Sequence, residues 1–179
     1  MRGRRSGPTV RSRSRRPWHL PSRLVPTISA GLLLYRYTVS GLEVLLVHPG
    51  GPFWKHKDLG AWSIPKGETT EGEDLLAAAQ REFREETGFS TEGPAIPLGQ
   101  VRQSGGKIVH AWAISGDVDP RQLRSNTFEI EWPRGSRQTR RFPEVDKAGW
   151  FNLAEARRRI LSAQVAFLDV LAAELKAAI

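Results

Sequence analysis

Three glutamates, Glu82, Glu85 and Glu86, are the residues whose type and spacing point most directly to chemistry. On a helix, offsets of three and four residues stack their side chains on one face. Like charges so placed repel, and each such pair at i, i+4 weakens a helix by about 0.2–0.5 kcal/mol. A hard cation reverses that penalty, because Mg²⁺ is bound through carboxylates, waters and substrate phosphates. Arg81 lies four residues before Glu85, within reach to hold it. A solvated acidic helix face carries the same spacing. The three carboxylates alone therefore do not decide between a site and a surface.

The elements that must position these groups are readable around them. Thr70 followed by Glu73 matches a capping box, which satisfies unpaired N–H groups at a helix start. Glu73 and Asp74 then fall in the first turn, where the helix dipole favours negative charge. Leu76, Ala79 and Phe83 recur at spacings of three and four and share an apolar face. Gly88 stands where a helix usually stops.

Taken whole, Gly67 to Phe89 resembles the Nudix box, in which a glycine, a glutamate, an Arg-Glu pair, a Glu-Glu pair and a second glycine recur at fixed intervals. Gly67, Glu73, Arg81, Glu82, Glu85, Glu86 and Gly88 fill the fixed places, and Phe83 and Phe89 the two apolar ones. The resemblance implies an α/β fold, the family's α/β/α sandwich with a mixed β-sheet. It also implies metal-dependent hydrolysis of a phosphoanhydride in a nucleoside diphosphate-X substrate, releasing NMP and P-X, with Mg²⁺ or Mn²⁺ as cofactor. By position in the motif Glu82, Glu85 and Glu86 are the expected metal ligands, completed by the backbone carbonyl of Lys66. Glu82, Glu85 and Arg81 are the expected catalytic set, with Glu82 orienting or deprotonating the water. Arg81 and Glu73 are expected to hold the helix rather than touch substrate. Some family members draw the base from outside the box, and Glu129, Glu131 and Glu144 are the candidates here.

The run from Trp62 through Pro65-Lys66-Gly67-Glu68 resembles the approach to the box in Nudix enzymes acting on dinucleoside polyphosphates. An NTP or dinucleoside polyphosphate is therefore the expected substrate. One departure stands out: the tyrosine those enzymes use after the box has no counterpart, since Tyr35 and Tyr37 both precede it. Two alternatives stay open. One is a non-catalytic nucleotide-binding sensor. The other is an RNA 5′-end pyrophosphohydrolase.

Composition bounds these readings. The 179 residues suffice for one domain with a sizeable core. The net charge of +8 is concentrated at one end. Residues 1–24 hold eight arginines and no acid; without them the 27 basic residues fall into balance with the 19 acidic ones. That Arg/Ser-rich tail is expected to be disordered. It reads as an arm for nucleic acid or anionic lipid, as a transit peptide, or as a plain solvated extension. Nucleic acid is thus expected as a partner only through the tail, and a nucleotide-type small molecule otherwise. The chain contains no cysteine, which excludes disulfides and thiolate metal sites and fits a reducing, cytoplasmic setting. No apolar run approaches 18 residues, so no membrane span is expected.

Residues 25–179 are expected to form the domain. Val25 to Tyr37 and Glu43 to His48 read as a hairpin. The loop Gly50 to Gly60 carries Trp54, Lys55 and Lys57, which suit stacking on a base and pairing with phosphate, or simply anchor a surface loop. With Lys66 they form the candidate substrate-binding set. Ala61 to Ile64, Pro97 to Gln103, Lys107 to Ser115 and Asn126 to Trp132 read as strands, and Pro133 to Arg141 as a basic loop. A further strand opens at Phe142 and ends at Trp150-Phe151. Asn152 caps a helix running to about Leu161, and a last helix follows from Ser162 with Val165, Leu168, Leu171 and Leu175 in one stripe.

Overall fold

The computed structural model describes residues 26–178. The Arg-rich tail, residues 1–24, and the expected domain start at Val25 lie outside them. The chain order is β1 (Ile28–Thr38), β2 (Gly41–Pro49), β3 (Lys66–Glu68), α1 (Leu75–Thr87), β4 (Ile96–Arg102), β5 (Ile108–Ser115), β6 (Thr127–Glu131), β7 (Thr139–Pro143), β8 (Val145–Asn152), α2 (Leu153–Arg159) and α3 (Val165–Ala177). Two short 3-10 turns precede β6 and α3.

β1 is the central strand. Its near-continuous apolar run, Ala30 to Leu34 interrupted only by Gly31, is buried on both faces, as expected for a strand covered from two sides. One edge of β1 runs parallel to β5 from Ile28 to Tyr35. The other edge is shared: Ser29 to Gly31 pair with β3, and Tyr35 to Thr38 pair with β2, both antiparallel. β4 and β8 complete a mixed sheet in the order β4-β5-β1-β2-β8. β6 and β7 pair only with each other.

Strand alternation sorts the core into two layers. Ala30, Leu32, Leu34, Leu45 and Ile114 face α1, where they meet Ala78, Ala79 and Phe83. Leu33, Val44, Leu46, Val109, Ala111 and Ala113 face the opposite side and pack on Ala156 and Ile160 of the α2 end and on Phe167, Leu168 and Leu171 of α3. The result is the α/β/α sandwich expected from the sequence. No helix among the described residues is long and apolar enough to cross a membrane.

The structure corrects several boundaries. The helix begins at Leu75, capped by Asp74, whose side chain accepts from the Ala77 N–H at 2.9 Å. Thr70 and Glu73 do bond as a capping pair would, at 3.0 Å, but they close a separate turn before the helix. Gly72 explains this: its φ of +76° reverses the chain between them. Ala61 to Ile64 forms only isolated bridges, Ser63 to Val47 and Trp62 to Ile160, because its neighbours change from one residue to the next. The basic loop from Pro133 is half strand: Thr139 to Arg141 belong to β7, where Arg141 lies opposite Glu129 and Phe142 opposite Phe128. The strand expected from Phe142 onward is broken at Glu144, which separates β7 from β8.

Phe83 is fully buried between α1 and the sheet. Phe83→Ala is expected to cost about 3–5 kcal/mol of stability. Urea unfolding of wild type and variant measures it.

Candidate active site

The carboxylate end of α1 is tied to β3 through one short bond. The Lys66 backbone N–H donates to the Glu86 carboxylate at 2.9 Å. Beside it the Glu82 carboxylate lies flat against Gly67, so closely that a Cβ there would overlap it. Gly67 is thus required for close approach, not for an unusual dihedral. Gly31 of β1 serves the same junction: a Cβ on it would lie 2.9 Å from the Pro65 carbonyl oxygen and 2.8 Å from the Lys66 Cβ.

Arg81 holds most of the remaining charge. Its guanidinium donates to Glu73 at 2.8 and 3.0 Å, to Glu82 at 2.6 Å and to Glu85 at 3.4 Å. A further bond reaches the Glu68 carbonyl at 3.2 Å. Arg81 therefore does hold Glu85, as expected, but its stronger contacts are to Glu73 and Glu82. The guanidinium and the Thr70 N–H lower the Glu73 pKa to about 2. Glu82 is raised by burial, against the pull of Arg81. Glu86 has no such partner, and burial pushes it up to about 8, with Glu144 and Glu82 adding repulsion. Lys66 is lowered by burial, opposed by Glu86.

Among the described residues no three carboxylate or imidazole groups meet at one point; Arg81 stands between Glu82 and Glu85 and pairs with both. The site still fits a hard divalent cation. Its donors are all oxygens, and Glu86 is desolvated beside two other carboxylates with only the desolvated Lys66 opposing them. A small cavity of about 80 Å³ opens there, bordered by Glu86, Glu144 and Lys66.

The three candidate bases outside the box separate clearly. Glu144 borders the cavity with Glu86. Glu129 is paired with Arg141 at 2.7 Å on the β6–β7 hairpin. Glu131 accepts from the Arg137 N–H at 2.9 Å farther along the same hairpin. Glu144 is held by backbone alone: its N–H donates to the Asn126 carbonyl at 2.8 Å and its carbonyl accepts from Gly50 at 2.8 Å.

The substrate-binding candidates divide between two larger cavities. Trp54 and Lys66 line one of about 420 Å³ together with Gln103, Ser104, Lys107 and Ser162. Lys57 stacks its ammonium 4.6 Å from the Trp54 ring. Lys55 lines another cavity, bounded by the hairpin. Gln103 and Lys107 escaped the sequence reading. They flank the Ser104-Gly105-Gly106 turn, whose glycines mark it only as a connection. The buried Gln103 Nε2 has no hydrogen-bond partner among the described residues, and Lys107 reaches Glu68 at 3.0 Å.

The NUDIX domain family model matches residues 26–170. The chain belongs to the Nudix family. An RNA pyrophosphohydrolase of Caulobacter vibrioides is 43% identical over 53 residues, 27% of this chain and 31% of that protein. Nudix hydrolase 10 of Arabidopsis thaliana is 58% identical over 33 residues, 18% of this chain and 12% of that one. The chain thus matches less than a third of the length of these curated relatives. Among solved structures, a C. elegans Ap4A hydrolase binary complex aligns over 83% of this chain and 98% of its own, with a TM-score of 0.61 and 22% identity. The NUDIX domain of Shewanella oneidensis NrtR, solved with ADP-ribose, aligns over 88% of this chain and 94% of its own, with a TM-score of 0.60 and 18% identity. These two likenesses concern the fold. In Nudix terms the box of this chain forms the loop, helix and closing turn from Gly67 to Phe89, and β3 is its first strand.

The Glu73–Arg81 pair makes a test by pH. Glu73 titrates lower in the folded chain, about 2, than its ordinary 4.5. Its stabilising contribution is therefore complete above about pH 5 and disappears as pH falls through 4.5 towards 2. Glu73→Gln is expected to be less stable than wild type near neutrality, with the gap closing over that window. Urea midpoints across pH 2–7 measure it, and a gap indifferent to pH would sink the assignment.

Proposed function

We propose that this Nudix chain is a divalent-metal-dependent pyrophosphohydrolase. Its substrate is a nucleoside diphosphate-X, an NTP or dinucleoside polyphosphate, cut by water to NMP and P-X. Residues 25–179 are the hydrolase domain in this reading. The observation that carries it is the desolvated Glu86, fixed by the Lys66 N–H and flanked by Glu82 and Glu144, at the edge of a small cavity whose Lys66 also lines the neighbouring cavity of Trp54 and Lys107.

Glu82, Glu85, Glu86 and the Lys66 carbonyl would hold the metal, Mg²⁺ being the expected ion. When bound it neutralises phosphate charge and lowers the pKa of a water. The chain's own residues do the rest. Arg81 orients Glu82 and Glu85. Lys66 and Lys107 attract the polyphosphate, and Trp54 offers a face for a base. Glu144 is the general base: it has no ion pair among the described residues, whereas Glu129 is occupied by Arg141. It takes the proton as the water oxygen bonds to phosphorus and the anhydride oxygen leaves.

Phosphate-coupled hydrolysis of NTPs, diadenosine polyphosphates, ADP-ribose and 5′-triphosphate RNA with Mg²⁺ tests the reading. Glu85→Gln is expected to lower turnover on the order of 10²–10³-fold, and Glu144→Gln by roughly 10²–10⁴-fold. Binding of nucleotide without turnover of any panel member would replace the enzyme with a sensor.

A further inference from the structure

The β6–β7 hairpin lies outside the main sheet and outside the carboxylate cluster, yet it walls a cavity. This cavity measures about 580 Å³, within the range of small-molecule sites, roughly 300–1,000 Å³. Trp132 and Phe142 line it from the hairpin, Pro52, Lys55 and His56 from the loop after β2, and Arg140 adds a further cation. Phe53 meets Trp132 edge to face at 5.5 Å and is still 61% exposed. Asp146 also borders the cavity, but its carboxylate is engaged by His48 at 2.7 Å. Among the described residues Arg141 is paired with Glu129, whereas Lys55 and Arg140 have no ion pair. The half-buried rings of Trp132 and Phe142 beside Lys55 and Arg140, with Phe53 exposed at Trp132, suit a flat ring that carries negative charge, such as a nucleobase with its phosphate.

The cavity is also fastened to the catalytic helix. The Asn126 N–H donates to the Glu85 carbonyl at 3.0 Å, the Glu144 N–H to the Asn126 carbonyl at 2.8 Å, and the Gly50 N–H to the Glu144 carbonyl at 2.8 Å. Helix, hairpin base and loop are thereby joined in one backbone chain. Gly50 packs on the Pro143 carbonyl and Gly51, with φ +90°, on the Phe128 ring, so no side chain wedges the two walls apart at their base. The Trp54 cavity reaches the same carboxylates through Lys66.

We propose that the hairpin cavity is a second nucleobase site, so that the preferred substrate carries two bases linked through phosphates. The proposal rests on the pyrophosphohydrolase reading and names its substrate class. Such a ligand can be a dinucleoside polyphosphate or the 5′ end of an RNA. Titration calorimetry on the full chain carrying Glu85→Gln, with Mg²⁺, separates them. The probes are diadenosine tetraphosphate, a 5′-triphosphorylated dinucleotide and ATP.

Stacking on an aromatic side chain is worth enough to make Trp132→Ala weaken a two-base probe about tenfold or more, with ATP weakened less than twofold. Arg140→Ala, at an exposed position, is expected to give a smaller loss of the same pattern and keeps the test open should Trp132→Ala fail to fold. Arg134→Ala, on the same hairpin outside the cavity, is expected to change nothing. Whichever two-base probe binds tighter than ATP identifies the source. Two-base probes that bind no tighter than ATP, or a Trp132→Ala loss equal for all probes, overturn the proposal. Because binding is read in a turnover-impaired variant, failure of the wild type to hydrolyse the panel removes the enzyme reading alone. Hydrolysis of two-base substrates indifferent to Trp132 and Arg140 removes the second site alone.

Discussion

The bond from the Lys66 N–H to the Glu86 carboxylate is the contact on which the site depends. It fixes the helix α1 against β3 at a point where both are partly buried, and two glycines make it reachable. Gly31 lets the Pro65–Lys66 backbone lie on β1, and Gly67 lets Glu82 lie on β3. A side chain at Gly31 would press on the Pro65–Lys66 backbone, and one at Gly67 would displace the Glu82 carboxylate. Core packing acts in the same direction, since Phe83 anchors the apolar side of the helix in the sheet while Glu82 and Glu86, its near neighbours in sequence, are carried to the opposite junction.

The carboxylates in and just before α1 consequently live in two electrostatic environments. Glu73, Glu82 and Glu85 share the Arg81 guanidinium, which keeps a dense acidic face compatible with a helix. Glu86 is beyond that reach and has burial, one N–H and the attenuated charge of Lys66. Three acids share one guanidinium, and Glu86 is opposed only by the desolvated Lys66. That asymmetry favours a cation at the Glu86 end. Repulsion from Glu144, a residue far along the chain, strengthens the asymmetry.

The sequence disclosed the parts of this arrangement governed by a short period. Glu82, Glu85 and Glu86 share a helix face because the helix repeat demands it, and the apolar stripes of α1 and α3 follow the same rule. The strands of the main sheet were legible for a related reason, since burial on both faces forces long apolar runs such as Leu32 to Leu34. Where a single backbone dihedral overrode a local pattern, the reading failed: Gly72 detached Thr70 and Glu73 from the helix they mimic a cap for. The β7 strand was hidden because Arg140 and Arg141 look like surface loop until Glu129 and Phe128 lie across from them. The cavities were illegible for a topological reason. Trp54 meets Gln103 and Lys107, and Lys55 meets Trp132, only through the closure of distant loops, and no local period encodes that.

This division has a mechanical meaning. The helix, β1 and β3 form a rigid unit whose residues are specified by close approach and by charge, and little in it can vary without disturbing Glu82 or Glu86. The loop after β2 and the β6–β7 hairpin are joined to that unit by backbone bonds through Asn126, Glu144 and Gly50. Backbone bonds constrain position but not side-chain identity. The hairpin and loop can therefore change the rings and charges they present while the place of Glu144 stays fixed relative to Glu85. Two kinds of contact are thus separated: side-chain carboxylates packed on glycine in the helix unit, and aromatic and cationic groups hung on main-chain bonds in the loop and hairpin. Because the walls are tied on through main-chain bonds, altering their side chains leaves the Lys66–Glu86 junction untouched.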